Sequence, residues 1–377
     1  MRRTFYIFTM RRRSVALLIE TSNAYARGVL AGIVAYVRQH PAWSIWLPEL
    51  GRGDAPPRDL ARWKGDGIIA RIETREIARA VARRRLPVID VSAGRHLPGV
   101  PWVETDDRAI AEAAAAHLLD RGFRRLAYCG DPRFNWSRWR EEHFRRRAGP
   151  DVRVFEAGRG SLAAWVRALP KPAGVFACYD IMAQRLLDAC REAKVAVPEE
   201  AAVVGVDNDA LICDLSSPPL SSVIPNARRT GFLAASLLDR MMAGRRVRAR
   251  AHLIPPVGVE TRQSTDVLAI DDHAVAAALR FIRDHAVDGI TVRDVLRATP
   301  LSRRALESRF RAAVGRTPHD EIARLRIDRA KRLLAETDHP LDRVAALSGF
   351  GSPSYLSVAF RRETGGNPRD FRREARG

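Results

Sequence analysis

Between residues 14 and 264 the chain alternates short apolar runs with stretches whose apolar residues recur every three or four positions. Val15–Ile19 is an unbroken apolar run, the pattern of a parallel strand covered on both faces. Asn23–His40 then sets Val29, Ile33, Val34 and Val37 on one helical face, and Pro41 ends it. Further strands are predicted at Gly67–Arg71, Pro87–Val91, Leu126–Cys129, Gly174–Cys178 and Val203–Val206. Helices are predicted between and after them, at Thr74–Arg84, Ala109–Asp120, Met182–Ala193 and Arg228–Met242. Repeated strand–helix alternation predicts doubly wound α/β structure with parallel sheets. The span 14–264 is long for one sheet, so two lobes are expected.

After Ser264 the strand pattern stops. Thr265–Asp272 reads as a polar connection, and from His273 to the end the period is helical throughout. Two helix-turn-helix patterns stand in this part, at Ile290–Phe310 and Leu341–Phe360. In the first, Thr291 caps a helix through Ala298, Thr299-Pro300-Leu301 makes the turn and Ser302 caps the next helix. Leu306 and Phe310 face inward. Arg303, Arg304, Glu307, Ser308 and Arg311 form the opposite stripe. In the second, Gly349 suits a helix C-terminus, Ser352 caps and Pro353 takes the first helical position. Leu356 and Phe360 face the core, leaving Ser354, Ser357, Val358 and Arg361 outside. A long helix, Asp320–Glu336, separates the two and can hold them about one DNA turn (~34 Å) apart. Arg pairs with guanine edges or phosphates, Glu accepts from cytosine and Ser serves either, so these stripes are candidate DNA-reading residues. Charged helix faces are more often merely solvated, but two such units with matched caps and core positions favour reading.

Composition changes this picture little. The 377 residues carry a net charge of +20, a pI near 11.0 and 46% hydrophobic residues, enough to build large cores. The charge favours polyanions. Yet the basic residues are nearly all Arg, with Lys only at positions 64, 171, 194 and 331, which fits GC-rich coding as well as function. The helical part alone has 21 Arg and Lys against 13 Asp and Glu. Cys129, Cys178, Cys190 and Cys213 form no CxxC pair and read as reduced core residues, which fits the cytoplasm and excludes a zinc ribbon. No metal site or cofactor is expected. No apolar run approaches the ~20 residues of a membrane helix. Residues 1–13 read as a basic lead-in, with Met10 an alternative start.

The helical part resembles the AraC/XylS family of DNA-binding domains. The resemblance rests on Arg326-Ile-Asp-Arg-Ala-Lys-Arg-Leu-Leu334, Val344-Ala345, Gly349-Phe350, Ser354-Tyr-Leu356, Phe360-Arg361 and Gly365-Gly-Asn-Pro368 with Phe371-Arg372. Asn367 departs from the Thr usual before that Pro. The α/β part resembles the sugar-sensing domain of LacI/GalR-type repressors, itself similar to periplasmic sugar-binding proteins. That rests on Asp66-Gly-Ile-Ile69, Leu86-Pro-Val-Ile-Asp90, Asp106-Asp107, His117-Leu118, Leu126-Ala-Tyr-Cys-Gly130, Phe176-Ala-Cys-Tyr-Asp180, Val204-Gly-Val-Asp-Asn208 and Arg262-Gln-Ser-Thr265. The two joined are similar to the XylR-like regulators of xylose operons. The resemblance implies a lead-in at 1–13, a two-lobed sensor at 14–264, a linker at 265–272 and a reader at 273–377. It implies a cytoplasmic, dimeric transcription activator that binds double-stranded DNA, responds to D-xylose and contacts RNA polymerase.

Ligands of open α/β sheets sit at the carboxyl ends of the strands. The polar residues there include Asn23, Asp180, Asp207 and Asn208, whose groups accept from or donate to sugar hydroxyls. Asp207 is the foremost acceptor. The resemblance places a ligand-gripping Arg after the strand ending at Gly130 and implies Arg140, with Trp136 or Trp139 stacking on the sugar. Plainer roles stand beside these. Asn23 and Asp180 equally suit helix caps, Trp139 suits a core, and Asp207-Asn208 suits a turn. Another pentose or hexose would use the same architecture. From a different class, Asp180 and Asp207 mimic a glycosidase pair, making a sugar-processing protein with a non-reading tail. No nucleophile elbow, phosphate loop or metalloprotease motif supports an enzyme.

Overall fold

The computed structural model describes residues 12–156, 158, 160–266 and 272–376. Most of the basic lead-in, including Met10, and most of the predicted linker lie outside these residues. In chain order the elements begin with β1 (Ser14–Leu18), α1 (Ala24–Gln39), β2 (Ser44–Trp46), β3 (Gly67–Ala70), α2 (Arg75–Ala82), β4 (Val88–Asp90) and β5 (Trp102–Thr105). Then come α3 (Asp107–Leu119), β6 (Arg125–Cys129), α4 (Asn135–Ala148), β7 (Arg153–Val154), α5 (Leu162–Ala168), β8 (Ala173–Ala177), α6 (Asp180–Ala193) and β9 (Ala201–Val206). After these follow α7 (Ala210–Leu215), β10 (Ser221–Ile224), α8 (Ala227–Met242), β11 (Ala251–Ile254) and β12 (Gly258–Glu260). The rest is helical: α9 (His273–His285), α10 (Val292–Arg297), α11 (Arg303–Val314), α12 (Pro318–Glu336), α13 (Leu341–Leu347), α14 (Pro353–Thr364) and α15 (Pro368–Arg376).

The described residues form two compact units, one from 12–104 with 227–253 and one from 105–226 with 254–266 and 272–376. The first is built on a six-stranded sheet in the order β11-β5-β4-β3-β1-β2. From β2 to β5 its pairings are parallel. Residues of β1 and β3 are buried almost without exception, so these strands read as continuous apolar runs rather than alternating ones. Helices α1 and α8 pack together on this lobe. A Cβ on Gly32 would stand 2.0 Å from the Arg228 carbonyl oxygen, and one on Gly231 would stand 1.9 Å from that of Val29. Only glycine permits this approach. Tyr36 and Arg13 both bond the Asp239 carboxylate of α8, at 3.2 and 2.9 Å.

The second unit holds a sheet in the order β12-β10-β9-β8-β6-β7, parallel except for the antiparallel β10–β12 pair. Its core packs Phe123, Tyr128, Phe144 and Phe176 against α3 to α6. The helical region continues in the same unit with two cores on either side of α12. Val275, Leu279, Val295, Leu306, Phe310 and Ile322 form one; Ile327, Leu334, Val344, Leu356 and Phe360 form the other.

The doubly wound lobes and the helical region agree with the sequence. Unpredicted are β2, β5, β7, β10, β11, β12, α4, α5 and α7. The edge strands are two to four residues long and only partly buried, so no apolar run marks them. Helix α4 carries Arg138, Arg140 and Arg145–Arg147, which mask its period. Thr265, read as the start of the linker, is fully buried and accepts or donates bonds with His117 (2.8 Å) and Ser221 (2.7 Å), so it belongs to the second lobe.

Candidate effector site and nucleic-acid interface

At the carboxyl end of β1, Glu20 is buried and accepts from Arg71 Nη1 at 2.5 Å and from Asn23 Nδ2 at 2.8 Å. Arg71, just past β3, reaches Glu73 with its other nitrogen, also at 2.5 Å. Asn23 turns its oxygen to the Ala26 amide (2.8 Å) and caps α1. Asn23 is thus both cap and member of a polar cluster. Beside it, Asp90 ends β4; burial pushes its carboxyl up to about 7, although the Ser92 and Ile72 amides donate to it.

In the second unit the strand ends carry a second cluster. Arg140 projects from α4 into the interior, 5% exposed. Its Nε donates to Asp107 Oδ1 at 2.8 Å and its Nη1 to the Cys178 carbonyl at 2.6 Å. Burial alone would lower its pKa, but Asp107 and Asp207 outweigh this and raise it. Burial raises the Asp107 carboxyl, and Arg140 and Thr105 only partly offset that. The guanidinium lies 4.8 Å from the centre of the Trp136 ring. Trp136 stacks on Phe134 at 5.0 Å and meets Tyr179 edge-on at 5.6 Å. Three rings therefore wall this end of the lobe. Trp139 is half-buried, and Arg138 is exposed and bonds Asn135.

Asp207 and Asn208 follow β9 with φ of +111° and +48°. Side chains other than glycine adopt such angles at a cost of roughly 1–3 kcal/mol, and only where their surroundings hold them. Here the Asp207 amide donates to the Val223 carbonyl (3.1 Å) and the Asn208 amide to Ser222 Oγ (3.0 Å). Asn208 Oδ1 accepts from Arg262 Nη1 at 2.9 Å.

Asp180 requires a correction. It is the first residue of α6, with Tyr179 at the cap position, so it is not the cap. It is 1% exposed, and both carboxylate oxygens are taken from within: Oδ1 by Ser222 Oγ (2.6 Å), Oδ2 by the Asp209 amide (2.9 Å) and Cys213 Sγ (3.5 Å). Burial, reinforced by Asp207, holds its carboxyl well above the usual range. Through Asp209 and Ser222, Asp180 braces the loop that carries Asp207 and Asn208.

Asp107 is not among the predicted site residues; Asp106-Asp107 enters only as part of the sensor resemblance. Asp106 does cap α3, accepting from the Ala109 amide at 3.0 Å, which leaves its neighbour free for Arg140. An adjacent acidic pair where one cap suffices was the available signal. Arg71 and Glu73 carried no signal beyond their position after a strand. Among the described residues no His, Cys, Asp and Glu cluster could hold a metal ion.

In the helical region, Thr291, Ser302, Thr317 and Ser352 cap α10, α11, α12 and α14. On α11, Arg303, Arg304, Glu307, Ser308 and Arg311 are all exposed while Leu306 and Phe310 are fully buried. Arg303 and Glu307 pair along the helix at 3.2 Å. On α14, Ser354 and Arg361 are exposed, but Ser357 is half-buried and donates to the Pro353 carbonyl at 2.8 Å. Its outward place is taken by Val358 and Tyr355, 69% and 52% exposed. The long helix starts at Pro318, two residues earlier than the sequence implied. No helix among the described residues is long and apolar enough to cross a membrane.

Three family models match successive parts of the chain: a XylR N-terminal domain at residues 14–108, a periplasmic binding protein-like domain at 115–265 and a helix-turn-helix domain at 295–374. The xylose operon regulatory protein of Escherichia coli (strain K12) is 33% identical over 387 aligned positions, covering 97% of this chain and 98% of that protein. That of Haemophilus influenzae is 32% identical, covering 95% and 97%. The solved structure of the xylose-binding transcription activator XylR superposes with a TM-score of 0.62 at 32% identity, covering 97% of this chain and 98% of that one. A ribose-bound LacI family regulator from Enterococcus faecium, 21% identical, shares the fold over 67% of the chain with a TM-score of 0.55.

Proposed function

The chain belongs to the family of xylose operon regulatory proteins, and from that membership we propose that it is a D-xylose-responsive activator of sugar-catabolic genes. It is a DNA-binding transcription regulator, not an enzyme. The observation that carries the effector reading is the buried Arg140, held between Asp107 and the Cys178 carbonyl beside a wall of three rings. A sugar offers hydroxyls, which accept from guanidinium and donate to carboxylate, and an apolar C–H face, which suits aromatic surface. In the second lobe Arg140 and Asp207 grip the hydroxyls, and Trp136, Trp139 and Asn208 complete the contacts; Asn23 is the first lobe's candidate ligand residue. Asp180 supports the loop of Asp207 and Asn208 from behind.

The regulator acts in the cytoplasm as a homodimer on double-stranded DNA and engages RNA polymerase when activating. D-Xylose changes operator affinity because it binds the competent state more tightly than the other. Titration calorimetry of the full chain against D-xylose, D-ribose, L-arabinose and D-glucose tests the effector. Tight, selective D-xylose binding that Arg140→Ala or Asp207→Ala reduces at least a hundredfold is the expected result. Selective binding of one of the other sugars would replace D-xylose as the effector.

A further inference from the structure

Helix α3 has a carboxylate at each end, and each is claimed by arginine. At its start Asp107 holds Arg140, the centre of the proposed effector cluster. About 20 Å away, at 1.5 Å per residue, Asp120 closes the helix and faces the DNA-reading region. Arg316 pairs with its Oδ1, and Arg324 lies 3.5 Å from its Oδ2. Arg283 of α9 donates to its backbone carbonyl at 3.3 Å. Arg316 and Arg324 are gathered by the fully buried Glu321, at 2.5 and 2.7 Å. The carboxylates of Asp120 and Glu321 thus form a two-acid clamp on two arginines of the reader, Arg316 and Arg324, while Arg283 takes the Asp120 backbone carbonyl. A second sensor residue acts alongside: Arg124 donates to the Ala313 carbonyl, in the last turn of α11, at 2.7 Å.

The placement matters because Arg316 stands two residues beyond the end of α11, just past Gly315, whose φ is +83°. Whatever holds Arg316 fixes the exit of the first reading helix. Between its ends α3 is packed on its whole inner face, with Ile110, Ala111, Ala114, Ala115 and Leu118 fully buried. A helix so packed moves as a rod. Its last turn is tied down as well: Arg121 donates to the Thr265 carbonyl (2.8 Å) and to Thr261 Oγ1 (3.0 Å).

We propose that Asp120 is the positioning residue through which the second lobe sets the first helix-turn-helix unit, with α3 as the shaft joining it to the effector-facing Asp107–Arg140 pair. This rests on the effector reading above. Asp120 touches neither sugar nor DNA; it acts through Arg316 and Arg324. Removing its charge leaves both binding surfaces intact and severs their connection.

The test uses the full chain and operator DNA with D-xylose as probe. Sugar affinity is measured by calorimetry, and operator affinity by fluorescence anisotropy with and without the sugar. The wild-type ratio of the two operator affinities is expected to be on the order of 10 or more, within the usual range of coupling. In Asp120→Asn, sugar affinity stays within about twofold while the ratio falls toward one, and Asp120→Glu restores most of it. Hydrogen exchange at Ala313–Arg316 speeds up in Asp120→Asn. Should that variant not fold, Arg316→Gln cuts the same pair from the reader side, with Glu321→Gln as the control for the Arg316–Glu321 bond lost with it. An unchanged ratio with unchanged exchange at 313–316 overturns the proposal. A wild-type ratio of one would instead refute D-xylose as effector, and the exchange measurement would still decide whether Asp120 holds the reader.

Discussion

Helices α11 and α14 each run twelve residues, start from a capping serine and end on a glycine of positive φ, Gly315 or Gly365. Each buries a leucine and a phenylalanine four apart, Leu306 with Phe310 and Leu356 with Phe360, all fully buried. Their outer faces differ. α11 exposes four arginines (Arg303, Arg304, Arg309 and Arg311), Glu307 and Ser308; α14 exposes Ser354, Tyr355 and Val358, with Arg361, Arg362 and Glu363 only towards its end. The scaffold of a reading helix is therefore specified separately from its chemistry. We propose that charged α11 addresses polar base edges and phosphates, whereas the Tyr355 and Val358 patch of α14 suits the methyl group of thymine.

The comparison is exposed to four measurements. Phe310→Ala and Phe360→Ala should cost about 3–5 kcal/mol each in chemical denaturation. Unequal losses would show that the two units are not built alike. Next comes Arg303→Ala/Arg304→Ala. Each good base contact is worth about 1–3 kcal/mol, so specific operator affinity should drop roughly a hundredfold. A smaller loss than that of a Tyr355→Ala/Val358→Ala pair would reverse the assignment. Smaller still, Ser302→Ala and Ser352→Ala should each cost about 1 kcal/mol of stability. Last, Val358→Ala should weaken operator binding less than tenfold. The difference from wild type should vanish when thymines in the operator are replaced by uracil, which lacks the methyl.

A pH experiment separates the units in another way. The first depends on Glu321, whose buried carboxyl Arg324 and Arg316 hold at about 2 against the opposing effect of burial. A carboxyl depressed in the fold stabilises it above the unfolded value, near 4.5, and loses that contribution as pH falls toward 2. Acid denaturation followed at Leu306 should begin before that followed at Leu356. Glu321→Gln should remove the difference.

The helical region was legible because its signals are local: caps, turn residues and a 3.6-residue period all lie within a dozen positions. Ser302, Ser352 and Pro353 were each assigned from their neighbours alone. The effector cluster was only partly legible. Arg140 pairs with an acid 33 positions away, and the surplus acid beside the Asp106 cap is the one local trace of it. Asp180 follows a buried strand as a ligand residue would. Its burial depends on Ser222 and Asp209, which the fold brings from elsewhere. Ser357 looked outward by helical spacing, yet its hydroxyl turns back to its own backbone, as serines in helices do.

The first lobe is assembled from two stretches of chain, with α8 and β11 returning after residues 105–226 have gone elsewhere. The contact of Gly32 with α8 then has a consequence for biosynthesis. Strands β1 to β5 leave the ribosome while the helix that must cover α1 has not been made. At 5–20 residues per second the delay is roughly 6–24 s. During that interval the buried face of α1, with Val29 and Ile33, stands open to whatever else is in the cell. A nascent chain arrested before residue 227 should bind chaperones that one arrested after 253 does not.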